Sequence, residues 1–189
     1  CALPISGKKV IFVNFSGSPI AMEPETKYCQ AILQAWYPGQ SGGKAAAEVL
    51  FGDYNPAGRL PVTFYRNITQ LPDFEDYNMT GRTYRYFKGD PLFPFGYGLS
   101  YTTFNYGNIK LEQTIKVGET AKIIVPVTNT GNRDGEEVVQ VYLKKQEDAE
   151  GPVKTLRAFK RVQIPAGKTV NVELELTPKH TEWRDERVH

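Results

Sequence analysis

The clearest group of side chains that could perform acid–base chemistry lies in the segment LPDFEDYN. Asp73, Glu75 and Asp76 stand close together there, and Arg82 and Arg85 follow shortly afterwards. Hydrolysis of a glycosidic bond uses two carboxyl groups that flank the bond, so a local cluster could supply one of them. A solvated acidic loop that pairs with the nearby arginines explains the same residues, and this second interpretation is favoured.

Other patterns with catalytic meaning are weaker. The segment PGQSGGKA suggests a phosphate-binding loop, but Gly39 is followed too soon by Lys44, and Ala45 replaces the required hydroxyl residue. We interpret it as a glycine turn that lets a helix start close to a strand. Ser16 has no candidate base nearby in the sequence, and no spacing of His, Cys and Asp resembles a metal site. The sequence therefore predicts no metal and no cofactor.

The composition limits which partners the chain can have, and the number of cysteines limits which disulfide bonds it can form. The 189 residues are 40% hydrophobic and carry a formal net charge of +2, which gives no electrostatic argument for nucleic acid or an anionic membrane. No apolar run approaches the roughly 20 residues of a membrane-spanning helix. We predict neither kind of partner. Cys1 and Cys29 are predicted as free thiols, with Cys29 buried as a small hydrophobe, and a bridge between them is the alternative.

The N-terminal part of the sequence alternates strand and helix patterns. Short apolar runs predict buried strands over 8–15 and 31–37, with a short helix over 23–30 between them. Ser41 is placed to cap a second helix over 42–51. This alternation predicts one layer of an α/β sandwich, built on a parallel sheet.

The C-terminal part of the sequence has an all-β pattern. Alternating apolar residues predict strands over 121–127, 139–143 and 170–177, and Pro126 predicts a sheet edge or a bulge in the first of them. Short strands at this spacing are typical of an immunoglobulin-like or fibronectin-type sandwich, which has about seven strands. We expect five or six strands before the end of the sequence, so that the last strand is missing.

Between these two parts, residues 52–100 are rich in proline and aromatic residues and show little periodicity, which predicts a long ordered arm. The fold class is predicted as α/β plus all-β. Residues 1–66 are assigned to the C-terminal portion of an α/β sandwich domain, 67–103 to a linking arm and 104–189 to a fibronectin III-like domain. Because incomplete layers leave sheet edges and apolar faces uncovered, we expect the isolated chain to aggregate or to need a partner.

Three long segments are similar to glycoside hydrolase family 3. The first, residues 31–64, reads AILQAWYPGQSGGKAAAEVLFGDYNPAGRLPVTF and resembles the C-terminal half of that family. The second, residues 91–104, reads PLFPFGYGLSYTTF and resembles the family's link between an α/β sandwich domain and a fibronectin III-like domain. The third, residues 135–176, resembles that last domain. Finer details look most like bacterial β-xylosidases and β-glucosidases.

The resemblance implies a retaining, exo-acting β-glycosidase that hydrolyses terminal non-reducing β-linked xylose or glucose residues. In this family an aspartate nucleophile lies in an N-terminal (β/α)8 barrel, and the acid/base lies upstream of a Leu-Pro segment. We expect this chain to begin at or after that segment, with Leu3-Pro4 as its remnant, so no catalytic residue is carried over. The missing barrel, in the same or a separate chain, is the implied partner. The chain alone is predicted to be inactive.

The role left to this chain is to brace the rim of the active site. Tyr37, Gln40, Arg82 and Tyr84 are the candidate substrate-rim residues, although a purely structural role explains them as well. Two other classes stay open: a non-catalytic carbohydrate-binding or adhesion module, and one piece of an enzyme that is split across two chains. The resemblance implies a periplasmic or secreted bacterial protein, and the sequence does not choose between xylose and glucose.

Overall fold

The chain folds into two compact units. The first combines Cys1–Tyr54 with Arg59–Tyr97, and the second combines Asn55–Gly58 with Gly98–His189. The boundaries predicted after residues 66 and 103 stay a prediction. The computed structural model describes residues 7–111, 116, 118–146 and 148–182.

The first unit is built around a small parallel sheet. Strands β1 (Ile11–Asn14) and β2 (Ala31–Gln34) pair in parallel, and helix α1 (Glu23–Tyr28) lies in the crossover between them. Helix α2 (Gly42–Phe51) follows β2. Because parallel strands need a crossover connection, this order of elements confirms the α/β pattern predicted from the sequence.

Two predictions of burial in this unit are wrong. Ile11 of β1 is 49% exposed, so the strand is not buried on both faces, because the described sheet has two strands and few elements that cover it. Cys29 is a free, half-buried thiol, because it lies at the C-terminal end of α1 rather than in the core. Cys1 lies outside the described residues.

Helix α2 has the bounds that the sequence predicted. Ser41 occupies the position before the helix, but among the described residues its side chain makes no capping hydrogen bond. Gly52 ends the helix with a φ of 83°, a left-handed conformation that glycine adopts without a steric cost.

The arm of the first unit, residues 59–97, has little regular structure. Its helical parts are a single 3-10 turn at Ile68–Gln70 and the short helix α3 (Thr83–Tyr86). Two pairs of main-chain hydrogen bonds close the arm on itself. Phe64 and Phe93 exchange N–H···O bonds of 2.9 and 3.1 Å, and Leu60 bonds to both Tyr97 and Gly96 at 2.8 Å.

Among the described residues, Phe64 is the largest fully buried side chain, at 1% exposure. Its ring meets Trp36 edge-to-face with the centroids 6.0 Å apart, and it meets Phe93 in the same way at 6.4 Å. Phe93 in turn stacks on Tyr97 at 5.4 Å. We call these four rings the aromatic anchor, because they attach the arm to the segment that follows β2.

The second unit consists of two antiparallel sheets. The strands are β3 (Phe104–Tyr106), β4 (Lys110–Leu111), β5 (Ala121–Asn129), β6 (Gly135–Leu143), β7 (Thr155–Ile164) and β8 (Thr169–Leu176). In the first sheet the central strand β5 pairs with β3 and β4 along one side and with β8 along the other, and in the second sheet β6 pairs with β7. A short helix α4 (Pro178–Thr181) follows β8.

The core of this unit lies between the two sheets, which confirms the predicted β-sandwich. The sequence did not predict β7 by alternation, because three consecutive residues of this strand, Phe159 to Arg161, are exposed. Every other long strand alternates buried and more exposed positions over part of its length. The buried apolar side chains that meet in the core are Val125, Val127, Val139, Ile164, Val172 and Leu174.

Pro126 does not lie on an edge strand, contrary to one of the two predictions made for it. β5 is paired on both sides, and the irregularity lies in its partner: three residues separate Tyr106 from Lys110, while two separate Val127 from Ile124. The carbonyl of Pro126 accepts a 2.8 Å bond from the N–H of Gly107 within this bulge. The nitrogen of Pro126 faces the same bulge, where a regular ladder bond is not required.

We predict that Phe64→Ala destabilises the first unit by about 3–5 kcal/mol, because it leaves a cavity at the centre of the aromatic anchor. Phe74→Ala is the matched control. Phe74 is 92% exposed, so its truncation should change stability by no more than about 0.5 kcal/mol. Urea unfolding of the chain, followed by tryptophan fluorescence, measures both. Equal midpoints for the two variants would contradict the role given to Phe64.

Candidate functional site

The carboxyl ends of β1 and β2 lie side by side, which is where α/β sheets bind ligands. Asn14, the last residue of β1, is 7% exposed. Its amide donates to Gln34 Oε1 at 2.5 Å and to Ser16 Oγ at 2.8 Å, and the Ser16 hydroxyl donates to the carbonyl of Ser18 at 2.8 Å. This network fixes the segment after β1 against the end of β2, and it makes Ser16 a turn residue.

Tyr37 and Gln40 lie in the loop between β2 and α2. Trp36 precedes them with a φ of 54°, a left-handed conformation that costs a bulky residue about 1–2 kcal/mol. The Tyr37 ring lies over Gly17, since a Cβ atom on that glycine would come within 2.3 Å of the ring. Tyr37 is nevertheless 82% exposed, so the loop presents an aromatic face to solvent beside the sheet edge. Gln40 is exposed as well.

The glycines of this loop are explained by backbone conformation and packing. Gly39 has a φ of 68°. A Cβ atom on Gly42 would lie 2.3 Å from Cγ of Pro38, so only glycine lets α2 begin this close to the proline ring. The loop therefore matches the glycine turn predicted from the sequence, and the same spacing gives no reason to invoke phosphate binding.

Arg82 organises the acidic loop, but it does so through the main chain. Its guanidinium donates to the carbonyl oxygens of Asp73 at 2.9 Å, Asp76 at 2.5 Å and Asn78 at 3.2 Å. The prediction that arginine pairs with the acidic side chains is thus corrected for Arg82, because its donors satisfy the backbone of a tight loop that forms no helix or sheet of its own.

In this acidic loop, the pKa of Asp76 is changed by specific hydrogen bonds. Its carboxylate accepts hydrogen bonds from the backbone N–H of Asn78 at 2.9 Å and from the side-chain amide of the same residue at 2.7 Å. These bonds, with a smaller contribution from the charge of Arg82, hold the pKa of Asp76 below its ordinary value. The group therefore stays ionised at neutral pH.

Tyr84 lies in α3, directly after a second residue with left-handed backbone. Thr83 has a φ of 55°, and its N–H donates to the hydroxyl of Tyr65 at 2.8 Å. The Tyr84 ring stacks on Phe95 with the centroids 4.0 Å apart. The four predicted rim residues thus form two local pairs, and each pair adjoins one of the two non-glycine residues that have positive φ among those described.

The sequence analysis did not single out the two most exposed aromatic residues near these pairs. Phe74 and Tyr77 are 92% and 91% exposed, and both belong to the loop that Arg82 fixes. Both residues therefore leave aromatic surface in contact with solvent. No spacing in the sequence could reveal this, because exposure in an irregular segment follows from its tertiary path.

Two structural features are absent from the described part of the chain. Within those residues, no three His, Cys, Asp or Glu side chains are close enough to hold a metal ion. None of the helices there has the length and apolar character needed to cross a membrane.

The sequence profiles of two known domains match this chain. The Glycosyl hydrolase family 3 C-terminal domain matches residues 2–101, and the Fibronectin type III-like domain matches residues 137–189. The chain belongs to glycoside hydrolase family 3. Membership confirms the resemblance in residues 31–64 and 91–104, and it agrees with an α/β unit followed by a β-sandwich.

Relatives of known name lie in the same family. A xylan 1,4-β-xylosidase of Xylanibacter ruminicola is 58% identical over 184 residues, which are 97% of this chain and 21% of that protein. A periplasmic β-glucosidase of Salmonella typhimurium is 40% identical over 191 residues, covering 93% of this chain and 25% of that protein. Among solved structures, a β-glucosidase of Erythrobacter marinus matches with a TM-score of 0.79 at 41% identity, over 93% of this chain and 24% of that one. The chain thus spans a fifth to a quarter of the length of these relatives.

We predict opposite effects for two neighbouring substitutions at the start of α2. Gly42→Ala should destabilise the first unit, because the new methyl group would overlap the ring of Pro38. Gly43→Ala is the control and should stabilise it by about 0.5–1 kcal/mol, because a Cβ there meets no described heavy atom within 4 Å and alanine favours a helix. Thermal unfolding measures both, and two shifts of the same sign would contradict this account.

Proposed function

We propose that this chain is the C-terminal segment of a retaining exo-β-glycosidase that acts on terminal non-reducing β-linked xylose or glucose. In that enzyme it braces the rim of the active site and supplies neither catalytic carboxylate. Family membership and the 58% identity to a xylan 1,4-β-xylosidase support the reaction class. The observation that carries the rim assignment is the strained backbone at Trp36 and Thr83, because such strain is concentrated at functional sites.

The chemistry of the acidic loop also favours a catalytic pair from outside this chain. A general acid at a glycosidic bond needs a pKa raised towards the working pH, so that it holds a proton to donate to the leaving group. Hydrogen bonds from Asn78 lower the pKa of Asp76 instead. Retaining hydrolysis also requires two carboxyl groups about 5–5.5 Å apart on either side of the bond. In this exposed loop the guanidinium of Arg82 binds main-chain carbonyl oxygens. The loop is therefore a poor source of that catalytic pair.

Each candidate rim residue has a distinct role in this proposal. Tyr37 offers an exposed ring on which the apolar face of a sugar can stack, and the amide of Gln40 can bond to sugar hydroxyls. Arg82 is a positioning residue, because it fixes the loop that carries Phe74 and Tyr77. Tyr84 anchors α3 by stacking on Phe95.

A chimeric enzyme tests the proposal directly. Replacing the matching 184-residue region of the Xylanibacter ruminicola relative with this chain should give a folded enzyme that releases 4-nitrophenol from an aryl β-xyloside or β-glucoside. The isolated chain should release none, because it lacks the catalytic pair. The relative truncated before the same region is the control for residual activity. Turnover by the isolated chain at the rate of the chimera, or a folded chimera without activity, would overturn the proposal.

Within the chimera, Tyr37→Ala should lower kcat/KM about tenfold, because it removes a stacking face for the substrate. Tyr28→Ala is the matched control. Tyr28 is also exposed, at 48%, but it lies at the end of α1, so its loss should leave kcat/KM unchanged. Steady-state kinetics on the aryl glycoside distinguishes the two variants, and equal values for both would remove Tyr37 from the rim.

A further inference from the structure

Phe159 has an unusual position in the second unit. On the described parts of β5, β6, β7 and β8 it is the one large apolar side chain left exposed, at 67%. Its neighbours in β7, Lys160 and Arg161, are polar and exposed, and Arg161 shares its face of the strand. A β-bulge in the pairing with β6 falls at Arg157, two positions before Phe159. The exposed ring therefore offers a flat apolar face close to hydrogen-bond donors.

Phe159 also lines a groove of about 570 Å³ that runs beside β7 and β8. This volume falls within the range of about 300–1,000 Å³ that small-molecule sites occupy. The groove is held in shape from both sides. Arg157 donates to the carbonyl of Glu182 at 3.1 Å, and Lys160 donates to the carbonyl of Glu173 at 3.3 Å. The polar residues that line it are Arg157, Lys160, Glu173, Glu175 and His180.

His180 contributes a defined hydrogen-bond donor to this lining. Its Nδ1 accepts a 3.2 Å bond from the N–H of Thr177 at the start of α4. The neutral ring therefore carries its proton on Nε2. The groove thus combines an aromatic face, a ring N–H and two carboxylates.

The charges of the groove favour a neutral ligand. Arg157 and Lys160 stand against Glu173 and Glu175, so neither an anionic polymer nor a basic peptide finds a surface of one sign. A sugar chain needs no opposite charge. It presents apolar ring faces to an aromatic residue and hydroxyl groups to planar donors and acceptors. We propose that this groove of the fibronectin III-like unit binds a β-linked xylan or glucan chain.

The choice of ligand rests on the proposed glycosidase function, whereas the site rests on Phe159 and its groove. The site would hold a polymer without taking part in bond cleavage. It would therefore affect binding of long substrates and leave hydrolysis of small aryl glycosides unchanged.

Isothermal titration of the 189-residue chain with xylohexaose and with cellohexaose tests this site. We expect binding of one hexasaccharide, weakened about tenfold or more by Phe159→Ala. Phe159→Leu should weaken it similarly, because leucine keeps an apolar side chain but has no aromatic face. Tyr28→Ala, at an exposed tyrosine at the end of α1, should leave this binding unchanged. Circular dichroism and thermal unfolding establish that each variant is folded, and Phe159→Leu replaces Phe159→Ala if the alanine variant is not.

Three results would overturn the proposal: no binding of either hexasaccharide at millimolar concentration, binding that both Phe159 variants retain, or binding that Tyr28→Ala abolishes. The active-site proposal is judged separately. In the chimera, Phe159→Ala should not alter release of 4-nitrophenol. If that variant loses hexasaccharide binding but keeps full aryl-glycosidase activity, the proposed groove site is supported. If the chimera is inactive but still binds hexasaccharide through Phe159, only the glycosidase assignment is contradicted.

Discussion

Burial of Phe64 is the constraint on which the first unit depends. The arm of residues 59–97 has almost no repetitive hydrogen bonding of its own, so its path has to be set by a few specific contacts. Phe64 supplies them twice, through two main-chain bonds to Phe93 and through a ring that meets both Trp36 and Phe93. Because a buried aromatic ring gains both apolar transfer energy and oriented ring contacts, one side chain can order a long irregular segment.

The candidate rim depends on the same contacts. Trp36 has a left-handed backbone conformation immediately before Tyr37, and its ring is packed against Phe64. Packing of this ring offsets the conformational cost, and the next residue is thereby directed into solvent. At the other pair, the hydroxyl of Tyr65 and the stacking of Tyr84 on Phe95 hold Thr83 in a similar conformation. At both places neighbouring aromatic side chains therefore stabilise the strained backbone. Such packing is required where a strained backbone positions exposed groups.

The second unit follows a different rule. Strands β5 to β8 are long, and buried residues alternate along β5, β6 and β8, so the sandwich is specified by period-two patterning rather than by single anchors. The exceptions to that pattern are informative. Pro126 is tolerated in a central strand because its partner bulges opposite it, and the exposed run in β7 leaves Phe159 beside a groove. Local departures from a regular sheet are where ligands and irregular backbone are accommodated.

The sequence alone determined the family, the order of the α/β and all-β parts, and the positions of β1, α1, β2, α2, β5, β6 and β8. Residues 42–51 predict α2 with its true bounds, and alternation predicts β5, β6 and β8, because these signals are local and periodic. It also named Tyr37, Gln40, Arg82 and Tyr84 as rim candidates. Only the tertiary structure decided that Arg82 binds main-chain carbonyls, that Ile11 is exposed and that Phe74, Tyr77 and Phe159 face solvent. Exposure and hydrogen-bond partners depend on which distant segments meet, and no periodicity along the chain records those meetings.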